Sequence, residues 1–154
     1  MHAGNLCSRE VVTIGPGETL IQAAHLMRQH HVGLLVVAQE GERDDGLRVA
    51  GVLTDRDIVT AVIARAADIG SLRVADVMTR NPLLVAEASS LDSVLYQMRE
   101  AGVRRVPVVG LRNELVGILS LDDVLDEMAR MLADVAGAIR KGRRLEHTAR
   151  PDSP

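Results

Sequence analysis

The chain contains the same pattern twice, and this internal repeat constrains the fold more than any other feature of its 154 residues. Leu20 corresponds to Leu91, which lies 71 residues further along, and Gly51 corresponds to Gly117, which lies 66 residues further along. The first copy therefore carries five extra residues, which fall in the polar stretch 39–48. A polar stretch with glycines at two points predicts an exposed connection between strands.

Each copy predicts the same order of elements: a short strand, an amphipathic helix, two strands and a second helix. Apolar residues recur three and four positions apart in the first helices, which is typical of a helix with one buried face. The four longer strands are nearly continuous apolar runs, as expected for strands buried on both faces. The predicted strands are 11–14, 34–38 and 49–53 in the first copy, and 83–86, 106–109 and 115–119 in the second.

Capping residues predict where the first helix of each copy begins and ends. Thr19 and Ser90 are expected N-caps, because their hydroxyls can accept from a free amide of the first turn. Gly33 and Gly102 follow the two helices, where a left-handed cap residue is common.

The predicted fold is a mixed α/β (α+β) chain of two β-α-β-β-α repeats packed about a pseudo-twofold axis. A unit of roughly 60 residues buries little surface alone, so the two copies should pack against each other. We place the first repeat at 6–66, a linker at 67–79 and the second repeat at 80–136. The remainder, 137–154, is polar and is expected to be a disordered tail.

The second helix of the second copy carries an apolar stripe longer than one repeat needs. It is formed by Val124, Leu125, Met128, Met131, Leu132, Val135 and Ile139. The stripe could be core throughout, but its length favours a dimer contact for its C-terminal half. The basic run at 140–144 is interpreted as a solvated tail, with nucleic acid or anionic lipid as the alternative.

A hydroxyl and a carboxylate lie three residues apart where a strand passes into a helix, once in each copy. The pairs are Thr54 with Asp57 and Ser120 with Asp123. Helix capping alone explains either pair, because both groups can satisfy amides at a helix start. The same carboxylate can also accept hydrogen bonds from both hydroxyls of a ribose, as in dinucleotide-binding folds. Two copies favour the functional interpretation more than one does.

Composition excludes several classes of protein. The net charge of −3 gives no bulk attraction to nucleic acid or to an anionic membrane. Tyr96 is the only aromatic residue among Phe, Trp and Tyr, so stacking on single-stranded nucleic acid is not expected. Cys7 is the only cysteine, which fits a reducing cytoplasm, and we expect it to be a small, partly buried residue. No apolar run is long enough to span a membrane.

An enzyme or a metal site finds little support in the chain. No nucleophile–base arrangement or phosphate loop is present. His30 and His31 are adjacent and diverge, so they are expected to be ordinary polar residues beside His25 rather than metal ligands. The aspartates at the two junctions are explained as acids at helix starts, although Mg²⁺ bound to a nucleotide remains an alternative.

Taken together, these stretches resemble a tandem pair of cystathionine-β-synthase (CBS) domains. The resemblance covers about residues 6–132 and rests on the two junctions, on the linker 74–82 and on the strand entries 31–37 and 102–109. It implies binding of an adenosyl ligand (AMP, ADP, ATP, S-adenosylmethionine or NAD) in clefts between the repeats. It also implies regulation of a separate target protein, which the sequence does not identify, and assembly into a homodimer.

The resemblance also implies roles for particular residues. Asp57 and Asp123 match ribose-binding aspartates, and Thr54 and Ser120 match the hydroxyl beside them. The remaining candidates are basic residues for phosphate (Arg56, Arg104 and Arg105), linker residues beside the base (Thr79, Asn81 and Pro82), and aliphatic residues around the adenine (Val12, Leu53, Val106 and Ile118).

The two copies differ in charge. The second copy has Arg104 and Arg105 where the first has Gly33 and Leu34, while Arg56 and Arg9 are less certain sources of charge for the first site. We therefore predict that the site at Asp123 binds a phosphorylated ligand more tightly than the site at Asp57. The alternative to a ligand sensor is a structural module that dimerises without binding nucleotide.

Overall fold

The structure, a computed structural model, describes residues 1–41, 46–64 and 68–148, with side chains described as far as residue 145. The chain divides into two compact units, Met1–Ser120 and Leu121–Pro154. The elements of the first unit are α1 (Ala3–Leu6), β1 (Thr13–Ile14), α2 (Leu20–His30), β2 (Leu34–Glu40), β3 (Leu47–Thr54), α3 (Asp55–Ile58), α4 (Val74–Val77), β4 (Thr79–Arg80), β5 (Val85–Ala86), α5 (Leu91–Ala101), β6 (Arg105–Val109) and β7 (Leu115–Ser120). The described part of the second unit is the helix α6 (Leu121–Thr148).

The strands form two sheets of the predicted mixed α/β fold. One sheet has the order β1-β2-β3-β4 and the other has the order β5-β6-β7. The short first strand of each sheet is parallel to its neighbour, whereas β2–β3 and β6–β7 are antiparallel pairs. The four longer strands are therefore confirmed, with small extensions, while only the last two residues of 11–14 and 83–86 are strand.

Burial on both faces explains why the longer strands are almost wholly apolar. Leu35, Val36 and Val37 are fully buried in β2, and Val108 is fully buried in β6. Helix α2 contributes Leu20 and two further apolar side chains to the core of the first sheet. The predicted stripe of this helix thus faces the core, where removal of its apolar area from water stabilises the unit.

The two sheets exchange their entering segments. Strand β4 pairs with β3 of the first sheet, so that Thr79 lies opposite Val52. At the equivalent place in the second sheet, Ser8 pairs with Ile118 through two N–H···O bonds of 2.9 Å. Each repeat is therefore completed by the segment that enters the other repeat, which is the reciprocity that a pseudo-twofold relation requires.

Two short helices belong to this exchange. Helices α1 and α4 lie 71 residues apart, at the offset that relates the repeats. The amides of Ala3 and Gly4 donate to carbonyls of the second repeat at 2.9 Å, and Ala3 is fully buried. The predicted first repeat, which begins at residue 6, misses α1 because a four-residue helix has no apolar period. The predicted linker 67–79 contains α4 and half of β4.

The glycine that begins each junction is required by the exchanged segment. A Cβ at Gly51 would lie 2.7 Å from the Thr79 carbonyl oxygen and 2.8 Å from Met78 Sδ. A Cβ at Gly117 would lie 2.6 Å from the Ser8 carbonyl oxygen and 2.7 Å from Cys7 Sγ. Both distances are too short for a side chain, so the incoming backbone excludes every residue except glycine.

The helix caps agree with the sequence except at one position. Thr19 caps α2 in a capping box with Gln22, and Ser90 caps α5. Gly102 ends α5 in the left-handed region at φ 65°, as predicted. The predicted cap at Gly33 is wrong, because α2 ends two residues earlier at His31, which has φ 54°. His31 lies 71 residues before Gly102, so the cap is at the same place in both repeats.

The second helices of the two copies differ. Helix α3 continues into a π-turn at Val59–Ile63, where only Val62 of that turn is buried. Helix α6 is 28 residues long and runs to Thr148. The disordered tail predicted from residue 137 is therefore wrong as far as residue 148, because polar Arg, Lys and Glu are good helix formers. Residues 149–154 of that prediction lie outside the described residues.

In the part of the chain that the structure describes, no helix has the length and apolar character needed to cross a membrane. The single cysteine, Cys7, is buried at the edge of the second sheet, and its Sγ lies 3.7 Å from the Gly4 carbonyl oxygen. This agrees with the small, partly buried residue expected from the sequence.

Candidate functional site

A cleft of about 600 Å³ lies between the two repeats of the first unit. One wall is the end of β3 with the start of α3, and the other is the chain that enters β6. This volume is within the range of small-molecule sites, which is roughly 300–1,000 Å³. The lining residues are Gly33, Leu34, Val52, Thr54, Asp55, Arg56, Asp57, Thr79, Asn81, Pro82, Leu83, Ala101, Gly102, Val103, Arg104, Arg105 and Pro107.

The first predicted hydroxyl–carboxylate pair forms a capping box on the wall of this cleft. The Thr54 amide donates to Asp57 Oδ2 at 2.9 Å, and the Asp57 amide donates to Thr54 Oγ1 at 3.1 Å. The sequence forms this turn because β3 ends at Thr54 and the next three residues begin α3. Both side chains are therefore held in place before any ligand binds.

Capping leaves hydrogen-bonding capacity on both side chains. Among the described residues, Asp57 Oδ1 has no hydrogen-bond partner, and the Thr54 hydroxyl donates to none. A carboxylate has about four lone-pair sites, so one cap bond does not saturate it. Asp57 can therefore cap α3 and accept from a ligand in the cleft at the same time.

Gly33 holds the two strand ends of the first repeat together at this wall. Its carbonyl oxygen accepts from the Asp55 amide at 3.1 Å, which ties the entry of β2 to the start of α3. A Cβ at Gly33 would lie 3.1 Å from Asp55 Oδ2, so a side chain there would push into the carboxylate. The glycine thus serves close packing at the cleft rather than the helix end.

Three arginines bring positive charge to the cleft. Arg56 comes from α3, whereas Arg104 and Arg105 come from the second repeat, and all three line the same wall space as Asp57. The guanidinium groups of Arg56 and Arg104 make no hydrogen bond or ion pair with any described residue. With Asp55 and Asp57 included, the lining carries three positive and two negative side chains.

This placement corrects the charge assignment made from the sequence. Arg104 and Arg105 do not belong only to the repeat that carries them, because they line the cleft of Asp57 in the other repeat. The premise for tighter phosphate binding at Asp123 is therefore wrong. Arg9 is not a source of charge for this cleft either, since it donates to the carbonyls of Gly4 at 3.1 Å and Val116 at 3.4 Å.

The predicted linker residues lie together on the floor of the cleft. Strand β4 places Thr79 against β3, and Asn81 and Pro82 follow it directly. Asn81 has φ 50°, a left-handed conformation that asparagine tolerates better than most residues. Backbone in such a region is common at ligand sites, which makes this turn a plausible surface for a flat base.

The predicted aliphatic residues are only partly correct. Leu53 and Val106 point into the core, where they are 0% and 1% exposed, and neither lines the cleft. Their strand neighbours Val52 and Pro107 line it instead, because adjacent residues in a strand face opposite sides. The apolar lining of the cleft is completed by Leu34, Leu83 and Val103.

Val12 and Ile118 also lie elsewhere. Val12 lines a separate groove of about 500 Å³ beside α2, and Ile118 pairs with Ser8 in the second sheet. Neither residue lines the cleft of Asp57. At the second junction, Ser120 ends β7 of the first unit, while Asp122 and Asp123 lie in the first turn of α6. The second site at Ser120 and Asp123 stays a prediction.

Metal-binding clusters were also sought. Within residues 1–41, 46–64 and 68–148, no group of three or more His, Cys, Asp or Glu side chains is arranged to hold a metal ion. His25 lines a groove beside α2, and His31 is the left-handed cap described above.

Comparison with known proteins follows the repeat. The family model for the CBS domain matches residues 3–64 and 74–130. The Bacillus subtilis CBS domain-containing protein YhcV is 36% identical over 75% of this chain and 76% of its own length. Hypoxic response protein 1 of Mycobacterium tuberculosis is 34% identical over 80% of this chain and 78% of its own length.

A solved structure gives the same result. The CBS domain protein PAE2072 from Pyrobaculum aerophilum, complexed with AMP, superimposes with a TM-score of 0.73 at 28% identity. The match covers 86% of this chain and 97% of that protein.

Proposed function

Because the chain belongs to the CBS domain family, we propose that it is a regulatory module that binds an adenosyl ligand in the cleft at Asp57. One observation carries the proposal: Asp57 caps α3 through Oδ2 and still has Oδ1 for a ligand, on the wall of a cleft of about 600 Å³. PAE2072, which is related to this chain, binds AMP.

The ribose is proposed to bind at the capping box. Its two hydroxyls would donate to Asp57, and the Thr54 hydroxyl would donate to a ribose or phosphate oxygen. A hydrogen bond to a charged group contributes roughly 1.5–3 kcal/mol, so this contact supplies a substantial part of the binding free energy. The base would lie between aliphatic side chains and the turn at Asn81, because no aromatic residue lines the cleft.

The phosphates are proposed to bind the three arginines. Guanidinium groups suit phosphate because their planar fork donates two parallel hydrogen bonds. Arg56 and Arg104 have no competing partner among the described residues, so binding does not first have to break an ion pair. The charge of the lining favours AMP, ADP, ATP or NAD over the cationic S-adenosylmethionine.

Regulation is proposed to act on a separate protein rather than through catalysis by this chain. A ligand changes the conformation only if it binds one arrangement of the repeats more tightly than another. Residues from both repeats line the cleft, so a ligand that contacts Asp57 and Arg104 together favours the arrangement that brings them close. We further propose that the chain acts as a homodimer in the cytoplasm.

Calorimetric titration with AMP, ADP, ATP, S-adenosylmethionine and NAD, with and without Mg²⁺, tests the proposal. In Asp57→Asn the amide oxygen still caps α3, but the charge is lost. We expect the dissociation constant for AMP to rise about ten- to a hundredfold, since about 1.4 kcal/mol corresponds to tenfold. Asp92→Asn is the matched control, because Asp92 lies in the first turn of α5 and does not line the cleft.

Arg104→Gln separates the phosphate contact from the ribose contact. We expect it to weaken AMP but to leave adenosine nearly unchanged, whereas Arg112→Gln, outside the cleft lining, should leave both unchanged. If the parent chain binds none of these compounds, the module is a structural one. If Asp57→Asn and Asp92→Asn bind AMP equally well, the ligand does not use this cleft.

A further inference from the structure

Helix α6 presents a continuous apolar stripe that is not covered by the chain itself. Its side chains recur at intervals of three and four residues, which is one face of a helix. Each is between 50% and 69% exposed, far more than a core residue, although Leu, Met, Val and Ile favour burial. The stripe consists of Leu125, Met128, Met131, Leu132, Val135, Ile139 and Leu145.

Most of this stripe lies beyond the family domain. The CBS match ends at residue 130, whereas α6 continues to Thr148. The extension therefore needs an explanation from its own residues. Its first choice of partner is set by the charges beside the stripe.

One flank of the stripe is ordered by charge along the helix. At spacings of three and four residues it reads Asp122, Asp126, Ala129, Ala133, Ala136, Arg140 and Arg143. The flank is acidic at its start, alanine in the middle and basic at its end. On the opposite flank, Glu127 and Asp134 precede Lys141 in the same sense.

We propose that the extension of α6 pairs with the same helix of a second copy in antiparallel orientation. In this orientation Asp126 lies opposite Arg140 of the other copy, and Asp122 lies opposite Arg143. The small alanines meet in the middle, where the distance between helix axes depends on side-chain size. A parallel pair would instead bring acid against acid and base against base, which is unfavourable.

The apolar seam fits the same register. Leu132 of one helix packs against Val135 of the other, and Met128 packs against Ile139, in the alternation of an antiparallel coiled coil. Leu125 then faces Gly142, where a Cβ would have no neighbour within 4 Å. The absent side chain at residue 142 leaves room for the leucine.

This inference deepens the homodimer of the proposed function, but it does not depend on the nucleotide. The contact uses neither the Asp57 cleft nor Arg104. A failed ligand titration would therefore leave the helix pairing standing, and a monomeric chain would leave the ligand proposal standing.

Sedimentation equilibrium of charge variants of the full chain tests the orientation. We expect Asp126→Arg and Arg140→Asp each to raise the dimer dissociation constant about three- to tenfold, since an exposed pair contributes about 0.2–1 kcal/mol and occurs twice per dimer. The double variant Asp126→Arg/Arg140→Asp should restore the parent value, because only an antiparallel pair brings the two reversed charges together. Arg144→Asp is the control, with an equal change of charge on the opposite face of the helix.

Leu132→Ser tests the seam separately from the charges. We expect the dissociation constant to rise at least about tenfold, with an unchanged circular dichroism spectrum, because Leu132 is 69% exposed in the single chain. A parent chain that is monomeric at 100 µM (roughly the weakest dimer worth a regulatory role) overturns the proposal. Failure of the double variant to restore the parent value overturns the antiparallel orientation, as does binding of the parent to anionic vesicles through the same face.

Discussion

At the scale of single residues, the two junctions combine a local and a long-range requirement. Thr54 and Asp57 satisfy each other's amides within one turn, so their positions follow from adjacent sequence. Gly51 answers to a different segment, because the backbone at Thr79 crosses over it. The pattern Gly-x-x-Thr-x-x-Asp is therefore partly a binding motif and partly a packing motif.

Substitution of this glycine is expected to destabilise the first sheet. In Gly51→Ala the new Cβ would meet the Thr79 carbonyl oxygen at 2.7 Å, so β4 must move away. We expect the free energy of unfolding to fall by about 1–3 kcal/mol, as for other overpacked sites, measured by urea denaturation. Gly17→Ala, where a Cβ would meet nothing within 4 Å, should change it by less than about 0.5 kcal/mol. Equal losses in both variants would contradict the packing role of Gly51.

The site residues that could be predicted are those fixed by nearby sequence. The capping box needs only the spacing of Thr54 and Asp57, and the structure forms it. The error at Leu53 came from strand register, because a continuous apolar run does not show which side of β3 faces the cleft. The error at Arg104 came from assigning charge within a repeat, although the cleft draws its arginines from both repeats.

At the scale of elements, the strands and helices were predictable where their apolar pattern is long. Strands β2, β3, β6 and β7 and helices α2 and α5 all follow from such patterns. Helices α1 and α4 have four residues each, and no pattern of that length differs from a turn. They are held by the sheet that they cover, which is information from the tertiary structure.

The two equivalent helix ends allow a paired test of capping. Gly102 and His31 both have a left-handed backbone, with φ values of 65° and 54°. We expect Gly102→Ala to lower the free energy of unfolding by about 1 kcal/mol, because a Cβ is disfavoured in this conformation. His31→Gly should raise it by up to about 1 kcal/mol for the same reason, less the entropy cost of a glycine.

Urea denaturation of both variants measures these changes. At Gly102 a Cβ would have no neighbour within 4 Å, so a loss there reports backbone strain alone. If Gly102→Ala is as stable as the parent, the left-handed cap contributes nothing to the stability of α5.

At the scale of the whole molecule, neither repeat of the first unit is complete without the other. The segment that contains α1 covers the second sheet, and the segment that contains α4 and β4 covers the first. Division of the chain into repeats at residue 80 therefore follows the sequence repeat but not the packing. A cleft formed by both repeats is the direct result of this exchange.

Deletion of residues 1–8 tests the exchange. The deletion removes the Ser8 carbonyl oxygen that accepts from the Ile118 amide at 2.9 Å, and it uncovers the edge of β7. We expect hydrogen exchange at the Ile118 amide to become at least about tenfold faster, because opening free energies are local to such units. Amides of β2 in the first sheet serve as the internal control. Unchanged protection at Ile118 would show that the N-terminal segment does not hold the second sheet.

The double duty of Asp57 affects how the descent of such chains should be interpreted. A lineage that stopped using its ligand would still keep this aspartate, since the start of α3 depends on it. Arg104 has no such second employment within the described chain, so mutation would erode it once selection for the ligand ended. Across relatives, loss of the arginine rather than loss of the aspartate should mark the descendants that have become mere scaffolds.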